Sequence, residues 1–354
     1  MRVLIAYNEP VLPPTHRDAD SEYEILNVVN VIAAELERVG VEVGRCGVGR
    51  NLAAFRSNLQ VLRPDAVFNM FEGLGDDPAS ECRFAKLLED EGVAFTGCSS
   101  QTLWRAGRKD LAKKAFREAG LPTPDFCVAD KLPIERCCLG WPVIVKPAFR
   151  DASIGIDQQN VVTNETHLNQ QIARLAAAYG FPILVEQFIR GREISAAVVD
   201  WPKIKMLSAV ETLFVGRTGD WPIATYDSKW RPGSRDYEST LLRYPAELTP
   251  QIAQRLAEVA ERAFRALDCC DLVTVDFRLS GDGTPYLLEL NPNPGMAPSP
   301  CLVHSFELAG MRYNDFLVQM VRAAMSRPHK RSMLKSINHR AHRVHGENTK
   351  CKRH

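Results

Sequence analysis

Two hydrophobic rhythms alternate along the chain. Largely apolar runs, such as Val3-Leu4-Ile5-Ala6 and Ala66-Val67-Phe68-Asn69-Met70-Phe71, have the character of strands buried on both faces. Between them apolar residues recur every three or four positions. Ile25, Val29, Ile32 and Leu36 form one face of a helix that opens at the capping sequence Ser21-Glu22-Tyr23-Glu24 and stops at Gly40. This alternation over residues 1–100 predicts a parallel sheet, with ligands at the carboxyl ends of its strands. A helix over about 109–119 ends at Gly120, and Pro122 and Pro124 beyond it mark a boundary. Further strands are predicted at 142–147, 183–188, 194–199, 206–214, 271–279 and 285–290, with a Thr249-capped helix running to Leu267 and a final helix over about 305–325.

Composition narrows the class. At 354 residues the chain exceeds one ordinary core, and 45% hydrophobic with 25% charged residues is the mixture of a soluble globular protein. No apolar run approaches the roughly 18–20 residues of a membrane span, and the opening Met1–Tyr7 meets Glu9 and Pro10 too soon for a signal peptide. Ten cysteines without a CxxC spacing support neither a zinc site nor a disulfide framework, which favours a reducing, cytoplasmic compartment. The net charge of +1 conceals a tail, 327–354, with nine Lys or Arg against the single acid Glu347. That tail is expected to be disordered, either a solvated extension or a contact for nucleic acid or an acidic partner. The remaining body, near −7, is no nucleic-acid binder.

Two segments carry chemistry. In Asp271–Met296, β-rich runs flank Asp282-Gly283, the signature of a two-residue hairpin loop. Such a loop sets Asp276 opposite Glu289 and Thr274 opposite Asn291, on one face of the sheet. Opposed carboxylates repel, so a cation belongs between them. Mg²⁺ or Mn²⁺ fits oxygen ligands and substrate phosphates, against the alternative of a solvated acidic pair. In Gly140–Ile156 a buried strand delivers Lys146, and a small polar loop with Ser153 and Gly155 follows. A lysine ending an apolar strand suggests an anionic partner, and the loop's N–H groups an anion nest; a snorkelling surface lysine is the alternative. There is no GxxxxGK[ST] loop and no complete GxGxxG. His16, His167 and His304, the only histidines before the tail, form no recognisable nucleophile–base pair.

Lys146, the loop after it, Leu184–Glu193 and the Asp276/Glu289/Asn291 set together resemble the ATP-grasp superfamily, and most of all the D-alanine–D-alanine ligases, over roughly residues 1–325. The resemblance implies an N-terminal parallel-sheet domain (1–100) followed by a two-subdomain α+β ATP-grasp domain, 101–185 and 186–326. It implies that Lys109 and Lys146 hold the phosphates of ATP, that Glu186, Gln187, Phe188 and Ile189 form the adenine hinge, and that Glu193 meets the ribose. Lys229 would reach the γ-phosphate, Asp276, Glu289 and Asn291 would hold magnesium, and the Gly295 N–H would face the oxyanion. Glu22 would receive the first amino acid's ammonium, unless it is only a capping-turn acid. The implied reaction is acyl phosphate formation followed by attack of an amine, on small amino-acid-like substrates, with a homodimer left open.

The departures lie on the acceptor side. Thr274 stands where the family carries an arginine for the second substrate's carboxylate, and Pro300 where it carries a serine. Ala152 and Trp230 replace a serine and tyrosine that link the loops over the site, and Glu72 replaces a histidine. Arg278, on the strand face of Thr274 and Asp276, is the candidate substitute for the missing arginine. A ligase for another amino acid or a non-amino-acid acceptor, and a non-catalytic nucleotide-binding protein, are the competing readings.

Overall fold

Three sheets carry the chain, in a computed structural model that describes residues 1–13, 15–16, 19–74, 77, 79–134, 137–216 and 218–327, with side chains except at 19–22 and 300. The first sheet is parallel, in the order β2-β1-β3: β1 (Arg2–Asn8) lies between β2 (Glu42–Val48) and β3 (Ala66–Met70). The unbroken run Val3–Ala6 is buried because β1 is central and covered on both faces. On one face lies α1 (Ala19–Arg38), whose Ile25, Val29, Ile32 and Leu36 enter the core as their spacing predicts; on the other lie α2 (Leu52–Leu62) and α3 (Ser80–Glu91). Helix α1 begins at Ala19, so Ser21 falls in its first turn rather than at its cap.

After α4 (Ser100–Ala106) and α5 (Lys109–Glu118) comes a four-stranded antiparallel sheet, β4-β7-β5-β6, made of β4 (Phe126–Ala129), β5 (Val143–Pro147), β6 (Val161–Val162) and, after α6 (Glu165–Tyr179), β7 (Ile183–Gln187). Val143, Val145, Ile183 and Val185 pack against Leu168, Ile172 and Leu175 of α6. Alternation turns Ile144, Lys146 and Glu186 to the opposite face.

The third sheet is antiparallel with order β10-β9-β8-β11-β12, from β8 (Gly191–Val199), β9 (Lys205–Phe214), β10 (Thr240–Arg243), β11 (Leu272–Ser280) and β12 (Pro285–Asn291). Between β9 and β10 run the short helices α7 (Tyr226–Trp230) and α8 (Arg235–Glu238). Helix α9 (Pro250–Ala266) is capped by Thr249, with Pro250 in its first turn, and buries Leu256, Val259, Ala260, Ala263 and Phe264 beneath the sheet. Gly191 opens β8 where no side chain fits: a Cβ there would lie 2.1 Å from the Leu279 carbonyl oxygen. The expected final helix is two, α10 (Pro300–Leu308) and α11 (Tyr313–Ser326), parted at Gly310, whose φ of +77° is left-handed. Phe316, Leu317, Met320 and Val321 of α11 join the core with α1 and β3.

No described helix is long and apolar enough to cross a membrane, and the nine described cysteines are unbridged. Arg327, the first residue of the expected tail, is anchored: its guanidinium pairs with Asp271 and donates to the Gly97 carbonyl at 3.1 Å. Residues 328–354 lie outside the described residues. Asp271 is fully buried; burial raises its pKa to about 6 although Arg327 and the Gly97 N–H pull it down. A carboxyl whose folded pKa is raised binds its proton more tightly folded than unfolded, so its contribution to stability falls as pH rises from about 4 through about 6. Removing Arg327 strands a buried anion above that range. Arg327→Gln should therefore lower stability by about 2–3 kcal/mol at pH 8, the lower end for a buried pair since the guanidinium is one-third exposed. The deficit should shrink at pH 5, as measured by denaturant unfolding at both pH values.

Candidate active site

Lys109, Lys146, Ser153, Glu186, Gln187, Phe188, Ile189, Glu193, Lys229, Asp276, Arg278 and Glu289 all line one cleft, walled by both antiparallel sheets. Asn291 and Gly295 lie beyond its lining, and the side chain of Glu22, on α1, lies outside the described residues.

The hairpin pairs Asp276 with Glu289 and Thr274 with Asn291, as alternation predicts, but by a different route. The loop is Gly281-Asp282-Gly283, three residues long, closed by bonds between Ser280 and Thr284, with Gly283 left-handed at φ +80°. That shifts the pairing by one, to Leu279 with Pro285 and Phe277 with Leu287. A bulge at Leu288 shifts it back before Glu289. Leu287 stays in the core while the extra residue, Leu288, lines the cleft.

Around the facing carboxylates the charges are unevenly matched. Glu289 pairs with the Lys109 ammonium, which also bonds Asp151 at 2.8 Å. Burial alone would raise the Glu289 pKa, but Lys109, with Lys146 and Lys229 farther off, brings it down to about 2. Asp276 accepts the Ser195 hydroxyl at 2.6 Å; burial first and Glu289 second push it up to about 6. Asn291 is exposed and accepts the Asn293 N–H at 3.0 Å.

Lys146 is no snorkelling surface lysine: it is 16% exposed and sits 3.1 Å from Glu186, its diagonal neighbour across β5 and β7. The Glu186 side chain therefore faces lysines rather than the hinge, and its other oxygen pairs with the buried Lys113. Phe188 is edge-on to Trp221, with ring centroids 5.3 Å apart, and forms an apolar lining with Ile144, Ile156 and Ile223. Arg278 is buried and committed: it pairs with Glu193 at 2.9 Å, donates to the Gly191 and Pro222 carbonyls, and lies over the Phe188 ring. It is therefore already engaged, and to replace the missing arginine it would have to exchange Glu193 for the acceptor carboxylate. The cause is strand pairing, which sets Glu193 directly opposite it.

Loop and helix close over the cleft through different chemistry from a serine–tyrosine contact. The Trp230 indole N–H donates to the Ala152 carbonyl at 3.0 Å, and the Tyr226 N–H to the Ile156 carbonyl at 3.0 Å. Ala152 and Ser153 are both left-handed, at φ 53° and 60°, a strained pair for residues with side chains. At the other end, a Cβ on Gly295 would lie 4.0 Å from a Glu72 carboxylate oxygen. Glu72 itself is exposed to solvent. Burial raises Glu81, to about 8, against the bond it accepts from Asn293 at 2.8 Å; Asp151 and Glu72 add to the rise. Glu81, Asn293, Lys113 and Asp151 are missed by sequence reasoning, since each is defined by partners on distant segments.

The D-ala D-ala ligase C-terminus family matches residues 116–322. A Sinorhizobium fredii protein named only as uncharacterized is 29% identical over 320 residues, 88% of each chain. The D-alanine–D-alanine ligase of Desulforudis audaxviator is 31% identical over 302 residues, 84% of this chain and 92% of that one. The structure of D-alanine–D-alanine ligase from Bacillus anthracis complexed with ATP superposes with a TM-score of 0.72 over 94% of this chain and 99% of that one, at 19% identity, a likeness of fold.

Trp230→Phe keeps a ring and removes the N–H that holds Ala152. Losing one neutral hydrogen bond is worth about 1 kcal/mol, so amide exchange at 152–156 should quicken roughly fivefold while global stability changes little. Unchanged exchange in that segment would show that the indole does not hold the loop.

Proposed function

The chain belongs to the D-alanine–D-alanine ligase family, and on that premise we propose that it is an ATP-dependent carboxylate–amine ligase acting on small amino-acid-like substrates in the cytoplasm. The observation that carries this reading is the convergence of Lys109, Lys146 and Lys229 with the Glu186–Ile189 segment and the Asp276/Glu289 pair around one cleft. Ile144, Phe188, Ile223 and Leu288 offer a flat base an apolar slot, and hinge backbone groups offer it hydrogen bonds. Lys146 and Lys229 would neutralise the phosphates, and Lys109 would join them once Glu289 finds another partner.

A divalent cation fits the same wall. Asp276 and Glu289 oppose each other on one sheet face, Asp276 has no cationic partner in direct contact among the described residues, and Asn291 adds an amide oxygen. Magnesium or manganese held there would spread charge from the phosphates. In the proposed reaction a substrate carboxylate takes the γ-phosphoryl group and ADP leaves; an amine then attacks the acyl carbon, loses its proton, and phosphate departs. The Gly295 N–H is the proposed donor to the oxyanion of that second step, with Glu22 proposed for the first substrate's ammonium. The loop latched by Trp230 would exclude water from the acyl phosphate.

Arg278 is occupied and Thr274 uncharged, which favours an acceptor without a free α-carboxylate over D-alanine, because a buried carboxylate needs a partner. Phosphate release from ATP, measured across D- and L-amino acids and their amides, tests both levels. No release with any pair overturns the ligase; D-alanyl-D-alanine formed faster than any amide product overturns the acceptor preference. Asp276→Asn and Glu289→Gln should each abolish turnover while leaving unfolding cooperative, and near-normal activity at saturating Mg²⁺ would sink the metal assignment. Lys146→Ala should weaken ATP binding by about 1.5–3 kcal/mol in calorimetry, the worth of one charge-assisted contact.

A further inference from the structure

Lys113 lies one helical turn beyond Lys109 on α5, yet it does not line the cleft. Its side chain is 1% exposed. The ammonium pairs with one oxygen of Glu186 and donates to the Thr123 hydroxyl at 3.0 Å; that hydroxyl donates in turn to the Leu287 carbonyl at 2.8 Å. On the other oxygen of Glu186 stands Lys146, 3.1 Å away and on the cleft side. One buried carboxylate is thus shared by a lysine behind it and a lysine in front.

The balance of charge gives this arrangement a purpose. Glu186 with Lys146 alone would be a neutral pair, its ammonium held by the carboxylate and its pull on an anion largely cancelled. Two lysines on one carboxylate leave a net positive charge, and only Lys146 can present it to the cleft. As a structural lock the same volume would be served at least as well by apolar side chains, since buried ion pairs seldom add net stability. We propose that Lys113 is a positioning residue for nucleotide: by neutralising Glu186 from behind, it leaves the charge of Lys146 free for the phosphates of a nucleoside triphosphate. The inference rests on the nucleotide reading of the cleft given above.

Calorimetry on the full chain with ATP, and with adenosine as a phosphate-free probe, tests it in Lys113→Met, Lys113→Gln and the double variant Lys113→Met/Glu186→Gln. Each single variant should weaken ATP binding by about tenfold or more, one charge-assisted contact, and leave adenosine binding unchanged. The double variant, which removes the carboxylate that would otherwise claim Lys146, should recover ATP affinity to within about threefold of the parent, well inside one such contact. Should the methionine variant fail to fold, the glutamine variant, which keeps a hydrogen bond to Thr123, decides. Equal losses for ATP and adenosine, or a double variant as weak as the single, overturn the positioning role. Failure of the unmodified protein to bind ATP overturns the nucleotide reading itself.

Discussion

An ion withdrawn from water without a partner destabilises a fold by several kcal/mol, and this cleft withdraws many. Its architecture follows from matching them within the protein. Lys109 is shared by Asp151 and Glu289, Glu186 by Lys113 and Lys146, and Arg278 is held by Glu193. Asp276 is the exception in this set, with a serine hydroxyl and a neighbouring carboxylate but no cation in contact among the described residues. Lys109, Lys113 and Lys146 are thus paired within the protein, and a polyanion with its counter-ion has to exchange partners with them.

Such exchange needs distances that do not drift, and strands supply them for most of these charged groups, with Lys109 and Lys113 on α5. Glu186 and Lys146 are diagonal neighbours across β5 and β7, and Arg278 and Glu193 are directly opposed across β8 and β11. Lys229 comes instead from the short α7, held to the loop after β5 by two hydrogen bonds. Rigid walls and a tied flap divide the work between fixing charge and enclosing it.

Period-two alternation is enough to set Asp276 and Glu289 on one face, because that face is decided locally. The loop is not: a three-residue turn and a bulge cancel, so the expected register is met with the wrong connection. The break at Gly310 is legible as a helix stop only when the helix before it is seen to begin at Pro300. Lys113 and Lys114 are indistinguishable in sequence, yet the first is buried, and only the arrival of β7 with Glu186 separates them. Arg278 is placed on the right face, but its neighbour depends on which strand pairs with β11, a non-local fact that sequence spacing does not contain. Elements and strand faces are local properties; partners are not.

The hairpin's two irregularities lie outside its ladder, so the region can lose either without moving the facing carboxylates. Deleting one residue of Gly281–Gly283 leaves a two-residue turn between the same closing pair, Ser280 and Thr284, with every pairing beyond it unchanged. Deleting Leu288 makes Leu287 and Glu289 consecutive, still opposite Phe277 and Asp276 and still on opposite faces of the sheet. What that second deletion removes is a side chain that lines the cleft. A chain of this lineage with an unbulged β12 has to fill the floor of its cleft from another position.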